Sequence, residues 1–156
     1  MIPKKVKVEI RRVALEDAAW KKAFDAFYRD SPPPKDTLEI PHAYFAAYHN
    51  GKIVGHSVIY KKLAKWVLDG LRVKPEWRER GIAKNLTAAR IRYAVENGAK
   101  EIWYDCEDGN LVTTCCHLRF GFKKVGHRGL GDDRNTVHSY RLKVTDGLTK
   151  KLNLPE

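Results

Sequence analysis

The stretch Leu71-Arg72-Val73-Lys74-Pro75-Glu76-Trp77-Arg78-Glu79-Arg80-Gly81-Ile82-Ala83 concentrates the readable chemistry of this chain. It reads as an apolar strand end, a turn at Pro75, and a helix that opens on Arg-x-x-Gly-x-Ala. The first N–H groups of a helix have no partner inside it, and the helix dipole places partial positive charge at the same end. Gly81 carries no side chain, so an anion can approach the backbone closely there. Ala83 keeps the next turn open, and Arg78, Arg80 and Lys84 add formal charge. Together these features describe a site for a pyrophosphate-like anion.

The elements around this segment must hold it in place. Lys65–Val73 reads as the strand that delivers it, with Val67, Leu71 and Val73 on one face. The helix that follows runs from Gly81 to Asn97, with Ile82, Leu86, Ala89 and Tyr93 at helical spacing and Gly98 as its C-cap. Upstream, Lys7–Val13 alternates like a strand. Glu16–Tyr28 reads as a helix with Ala19, Ala23, Ala26 and Phe27 in register, and Asp30-Ser31-Pro32-Pro33-Pro34 stops it. After a loop to Pro41, His42–His49 and Lys52–Tyr60 form a hairpin about Asn50-Gly51. Downstream come a buried strand, Glu101–Cys106, and a short helix, Asn110–Phe120, ended by Gly121. Phe122–Val125 continues extended, and Gly126, Gly129 and Gly131 mark a loop before the last strand, Thr136–Val144. Residues 1–145 read as one domain, and 146–156 as a polar, frayed C-terminal tail. The order of elements predicts an α/β (α+β) domain. Its sheet is mixed, with antiparallel hairpins first and a strand–helix–strand unit in the middle.

The composition narrows the partners. Thirty Lys and Arg against 19 Asp and Glu leave a formal charge of +11 in 156 residues. That surplus favours anionic partners such as nucleic acid or a phosphorylated cofactor, and disfavours a polycationic one. A hydrophobic fraction of 43% excludes a disordered chain. Cys106, Cys115 and Cys116 are an odd number without a secretory pattern, which predicts reduced thiols and a cytoplasmic protein. Those cysteines include no C-x-x-C pair, and vicinal cysteines bridge one metal poorly, so no metal is expected. No apolar run approaches the length of about 18 residues that would span a membrane.

The motif Leu71-x-Val73-x-Pro75-x-x-Arg78-x-x-Gly81-Ile82-Ala83, with Asn110, His117 and Gly121-Phe122 after it, resembles the GNAT superfamily of acetyl-CoA-dependent N-acetyltransferases. The likeness covers about residues 66–126. It implies a GNAT-like mixed, mostly antiparallel sheet of six to seven strands with a V-shaped splay, flanked by about three to four helices. It also implies acetyl-CoA as acyl donor. Backbone N–H groups near Leu71 and Val73 would hold the pantetheine arm and polarise the thioester carbonyl. Those of Arg78, Glu79, Arg80, Gly81, Ile82, Ala83 and Lys84 would hold the pyrophosphate, and Asn110 would contact the pantetheine arm or the acceptor.

The implied reaction needs a neutral amine, a stabilised tetrahedral intermediate and a proton for the leaving thiolate. Four residues are candidates for that work. His117 stands where family members commonly carry a Tyr, and an imidazole can serve as acid near neutral pH. His138, in Thr136-Val137-His138-Ser139-Tyr140, is similar to a late-strand His of glyphosate-type acetyltransferases, and Tyr140 shares its face. Asp69, in Leu68-Asp69-Gly70, sits where aminoglycoside 6′-N-acetyltransferases often carry a carboxylate. A helix histidine that packs, a sheet-surface histidine and a solvated carboxylate are the plainer accounts of the same residues.

The expected function is transfer of an acetyl group to a primary amine of a small or amino acid-like acceptor. The alternatives are acetylation of a protein or nucleic-acid-associated amine, and a non-catalytic CoA-binding module. Dimers are frequent among the family, which leaves a homodimer open.

Overall fold

The computed structural model describes residues 6–13, 18–33, 40–107, 117–128 and 137–152. The expected helix from Asn110 and residues Cys115 and Cys116 lie outside these, apart from its end at 117–118.

The chain opens with β1 (Glu9–Arg12) and α1 (Ala18–Phe27), followed by β2 (His42–His49), β3 (Lys52–Lys62) and β4 (Lys65–Val73). Next come α2 (Ile82–Glu96), β5 (Glu101–Glu107), β6 (Lys123–Arg128), β7 (Val137–Lys143) and α3 (Asp146–Lys151). Seven strands form one open sheet in the order β1-β2-β3-β4-β5-β7-β6. Every neighbouring pair is antiparallel except β4 and β5, which α2 connects as a parallel pair.

Local chemistry explains most of this order. Asn50 and Gly51 adopt φ of 49° and 76°, the doubly left-handed turn whose twist suits a two-residue hairpin. α1 buries Trp20, Phe24 and Phe27. The alanine register expected for this helix is therefore displaced: Ala19 and Ala26 are exposed, because the larger aromatic rings remove more apolar area from water. α2 buries Ile82, Leu86, Ile91 and Ala94 against β2, β3 and β4, while Ala89 and Tyr93 are only partly covered.

Two expectations fail for identifiable reasons. Gly126 lies inside β6 rather than in a loop. The C-terminal segment is not a frayed tail through residue 152. Thr145 caps α3, its Oγ1 accepting the Leu148 N–H at 3.2 Å, and Leu148 and Leu152 are buried. Arg92 Nε also donates to the Leu152 carbonyl at 3.2 Å. Two leucines one helical turn apart anchor a segment that is polar otherwise.

The two sheet faces carry separate cores. On one face α2 and the end of the chain cover a large cluster that includes Phe45, Ile59, Trp66, Leu68, Ile102, Tyr104 and Leu142. On the other, α1 covers a smaller aromatic cluster over β2 and β3.

Candidate active site

β4 and β5 pair only at Trp66–Ile102 and Val67–Trp103, although β4 continues to Val73 and β5 to Glu107. The strands therefore part beyond Val67 and open a cleft in the sheet. The cause lies on the other side of β4. Val58 pairs with Asp69 and His56 with Arg72, so β4 holds one residue more than β3 over that interval. Gly70 takes a φ of 57° within it. A bulge of this kind bends its strand and leaves backbone groups unpaired. It also reverses the side-chain alternation: Trp66, Leu68 and Val73 share the α2-side core, so Val67, Leu71 and Val73 do not share a face as their spacing suggests.

Arg90 on α2 reaches into the bulge. It is 1% exposed. Its Nη1 donates to the carbonyls of Val58 and Asp69, both at 3.3 Å, and its Nη2 donates to Thr87 Oγ1 at 3.0 Å. One guanidinium thus ties together the two strands at the point where their ladder slips.

Beyond Val73 a single tight turn at Pro75–Trp77 leads to α2. Arg78 Nε donates to the Val73 carbonyl at 3.2 Å, which fixes the turn to the strand end. Glu79 and Gly81 both adopt left-handed backbone, φ 61° and 80°. Such alternation curls successive N–H groups into an anion-binding concavity. Gly81 caps α2 without a side-chain hydrogen bond, and a Cβ there would meet nothing within 4 Å, so the approach is open. Ile82 is buried and offers only its N–H, whereas Lys84 is exposed. The Arg78 N–H is already given to the Pro75 carbonyl at 3.3 Å, so these features fit a pyrophosphate held by backbone donors from Glu79 to Lys84. Asn110 lies outside the described residues.

The depth of α2 depends on Gly55 in β3. A Cβ at Gly55 would stand 2.9 Å from Ile82 Cγ2 and 3.1 Å from Leu86 Cδ1. A Gly55→Val variant is expected to push the start of α2 off the sheet, costing about 1–3 kcal/mol and weakening CoA binding. Urea unfolding and calorimetric titration with CoA check both effects, and parental values in both would contradict this account.

The parted strands also present carboxylates. Two residues past the last pair, β4 carries Asp69 and β5 carries Asp105, both on the α1 side of the sheet. Both are exposed. Asp69 Oδ1 accepts the Gly70 N–H at 2.8 Å, and Asp105 Oδ1 accepts the Ser139 hydroxyl at 2.7 Å. Tyr60 senses both: burial raises its pKa first, and the charges of Asp69 and Asp105 raise it further. Asp105 is absent from every local motif, and only the parallel register brings it here.

Next to this pair, Arg72 fastens α1 to β4. Its guanidinium donates to the Phe27 carbonyl at the end of α1 and to Asp30 Oδ1 at 2.7 Å, and it lies 4.8 Å from the Phe27 ring centroid. The hydrogen bond from Arg72 holds the Asp30 carboxyl below the usual range. Beneath Arg72, His56 is fully buried between the rings of Trp20 and Tyr44, at 5.5 and 5.6 Å. Its Nδ1 lies 2.9 Å from the Tyr28 hydroxyl.

The remaining candidates occupy the α2 side. Tyr104 is stacked between His117 at 4.1 Å and Tyr140 at 4.6 Å. His138 pairs in register with Cys106, one step nearer the open end of β5 than the Tyr104–Tyr140 pair, and is 7% exposed rather than on the sheet surface. The structure therefore groups His117, Tyr140 and His138 on one side of the sheet and sets Asp69 on the other. Among the described residues, no group of three or more His, Cys, Asp and Glu side chains is placed to hold a metal ion. No described helix is long and apolar enough to cross a membrane.

A parallel strand pair that parts beside a helix N-terminus with no side-chain cap frames the candidate site. The family model for "Acetyltransferase (GNAT) family" matches residues 12–122, and the chain belongs to that family. It is 30% identical over 111 residues to the N-alpha-acetyltransferase MAK3 of Arabidopsis thaliana, covering 67% of this chain and 56% of the plant protein. It is 35% identical over 58 residues to the aminoglycoside N(6′)-acetyltransferase type 1 of Salmonella typhimurium, covering 37% of this chain and 40% of that enzyme. The chain thus spans about half the length of these relatives. The crystal structure of the ribosomal-protein-S18-alanine N-acetyltransferase from Escherichia coli shares the fold, with a TM-score of 0.72 at 16% identity over 89% of this chain and 95% of that one.

Proposed function

We propose that this chain is an N-acetyltransferase that moves the acetyl group of acetyl-CoA directly to a primary amine of a small, cationic or amino acid-like molecule. Membership of the GNAT family supports the reaction class and the donor. The pyrophosphate rests on the backbone from Glu79 to Lys84, and N–H groups of Leu71 and Val73 at the bulged end of β4 polarise the thioester carbonyl. The amine nitrogen attacks that carbon, the C–S bond breaks, and the nitrogen gives up one proton while the thiolate gains one. The thiolate's proton comes from the α2 side, where His117, His138 and Tyr140 lie. The cysteines, read as thiols, suit a cytoplasmic setting.

The observation that carries the choice of acceptor is that Asp69 and Asp105 each lie two residues past the last rung of the parted strands and that both charges reach Tyr60. In a chain of charge +11, two carboxylates facing one cleft are a local reversal suited to an ammonium group. A thiol-release assay across a panel of small diamines, amino sugars and amino acid amides tests the reading. Asp69→Asn and Asp105→Asn are each expected to raise KM for the acceptor about tenfold and leave KM for acetyl-CoA unchanged. Unchanged acceptor KM in both variants would remove the carboxylates from the acceptor site.

A second reading, acetylation of a protein α-amine, is favoured by the likeness to MAK3. Turnover of N-terminal peptides, with none of the small amines, would select it.

A further inference from the structure

The sheet face that carries Asp69 and Asp105 changes sign toward the other end of the same strands. Val67, Trp103, Arg141 and Lys123 stand in one row across β4, β5, β7 and β6. Glu101 and Lys143 pair in the next row, and Lys65 falls level with Glu101. Lys65, Lys123 and Lys143 are exposed, while Trp103 and Arg141 are half-buried. The Trp103 ring lies between two cations, Lys65 Nζ at 4.2 Å and Arg141 Cζ at 5.7 Å from its centroid. Its Nε1–H has no acceptor among the described residues. Glu101 is the single acid in these rows, 4.0 Å from Arg141, which leaves four cations against one carboxylate. A cavity of about 490 Å³ opens at the same edge, lined by Lys123, Arg141, Lys143 and Lys151 over Phe120 and Leu148.

We propose that this face binds single-stranded nucleic acid. An aromatic ring set among cations on a sheet surface offers stacking to an unpaired base and neutralisation to the phosphates beside it. Lys65, Lys123, Arg141 and Lys143 can neutralise about four phosphates along the three strand intervals, about 14 Å, from β4 to β6. An acidic peptide would use the cations and leave the indole idle. Duplex nucleic acid would present no base face to Trp103. The site is separate from the cofactor cleft, and it does not depend on which amine the enzyme acetylates.

Fluorescence anisotropy of a labelled oligouridylate of about 12 nucleotides, with the full chain and saturating CoA to fill the cleft, tests the proposal. Four neutralised phosphates predict a slope near −2.8 in log K against log salt, hence about 50-fold weaker binding at roughly 200 mM than at roughly 50 mM salt. Lys65→Ala and Lys123→Ala are each expected to reduce that slope by about 0.7. Trp103→Ala is expected to weaken binding about tenfold with the slope unchanged, and Trp103→Phe to restore most of it. The lysine variants alter exposed side chains, so they remain informative even if Trp103→Ala folds poorly. Absence of binding at low salt, displacement by CoA, or indifference to both lysine variants would overturn the proposal. So would equal binding to polyglutamate or to phosphatidylglycerol vesicles.

Discussion

An Arg90→Met variant is expected to melt about 6–12 °C below the parent chain and to bind acetyl-CoA at least tenfold more weakly. Two effects oppose each other in this substitution. Removing a guanidinium that is 1% exposed relieves its desolvation, and methionine fills much of the same space. Against that, the carbonyls of Val58 and Asp69 lose their donor inside a bulge where both lie 3.3 Å from the same nitrogen. Two acceptors cannot satisfy each other, and the buried Val58 carbonyl and the part-buried Asp69 carbonyl each lose a bond to a charged donor, at about 1.5–3 kcal/mol apiece. The loss therefore outweighs the relief by about 3 kcal/mol. The functional consequence follows from place rather than contact. Arg90 fixes the backbone of β4 two residues before Leu71, so a relaxed bulge moves the N–H groups meant for the thioester. Arg90→Lys keeps the charge but lacks the planar fork, and is expected to recover less than half of either loss. Thermal melts and calorimetric titration with CoA give both quantities. A melt within about 2 °C of the parent chain would show that the bulge holds without this residue.

Local signals and long-range pairing divide what could be read in advance. The bounds expected for His42–His49 and Lys65–Val73 coincide with β2 and β4, because Asn50-Gly51 and the apolar runs are local instructions. The strand, turn and helix from Leu71 to Lys84 were legible for the same reason, since Pro75 and Gly81 are local instructions too. His138 and Tyr140 share a face, as strand alternation requires. The bulge was not legible, since one extra residue in β4 is defined only against β3. It silently moved Val73 onto the face of Leu68. Asp105 joins Asp69 through the register of a parallel pair connected by fifteen helical residues, and no spacing rule encodes that offset. Arg90 belongs to no local motif, and a basic residue in an amphipathic helix gives no sign of burial. Only the orphaned carbonyls beneath it give its burial a cause.

His56 supplies the second large effect, a steep loss of stability in acid. Its ring is fully buried among Trp20, Phe24, Phe27, Tyr28 and Tyr44. Burial, and then the charge of Arg90, push its pKa down to about 3. Burial raises the Tyr28 phenol far above its ordinary range, despite Arg72 nearby, so Tyr28 stays protonated and shares one hydrogen bond with His56 Nδ1. The folded chain therefore keeps His56 neutral down to about pH 3, while the unfolded chain protonates it below its ordinary value of 6.5. The unfolded state binds the extra proton between those two values, so folding weakens as pH falls through this window, by about 1.4 kcal/mol per pH unit. Between pH 6.5 and about pH 4 the loss is about 3 kcal/mol, a large part of the roughly 5–15 kcal/mol that stabilises a domain. Flanking rings would soften the loss through cation–π attraction, but that is worth about 2 kcal/mol at most against several for desolvating a charge beside Arg90. Urea unfolding from pH 7 to pH 4 measures the slope, and His56→Phe isolates it. That variant loses the bond to Tyr28 and is expected to be less stable than the parent chain at pH 7. It keeps an aromatic ring in the box, has nothing to titrate, and should show a flatter acid limb. An equal slope in both proteins would show that His56 is not the source of the acid sensitivity.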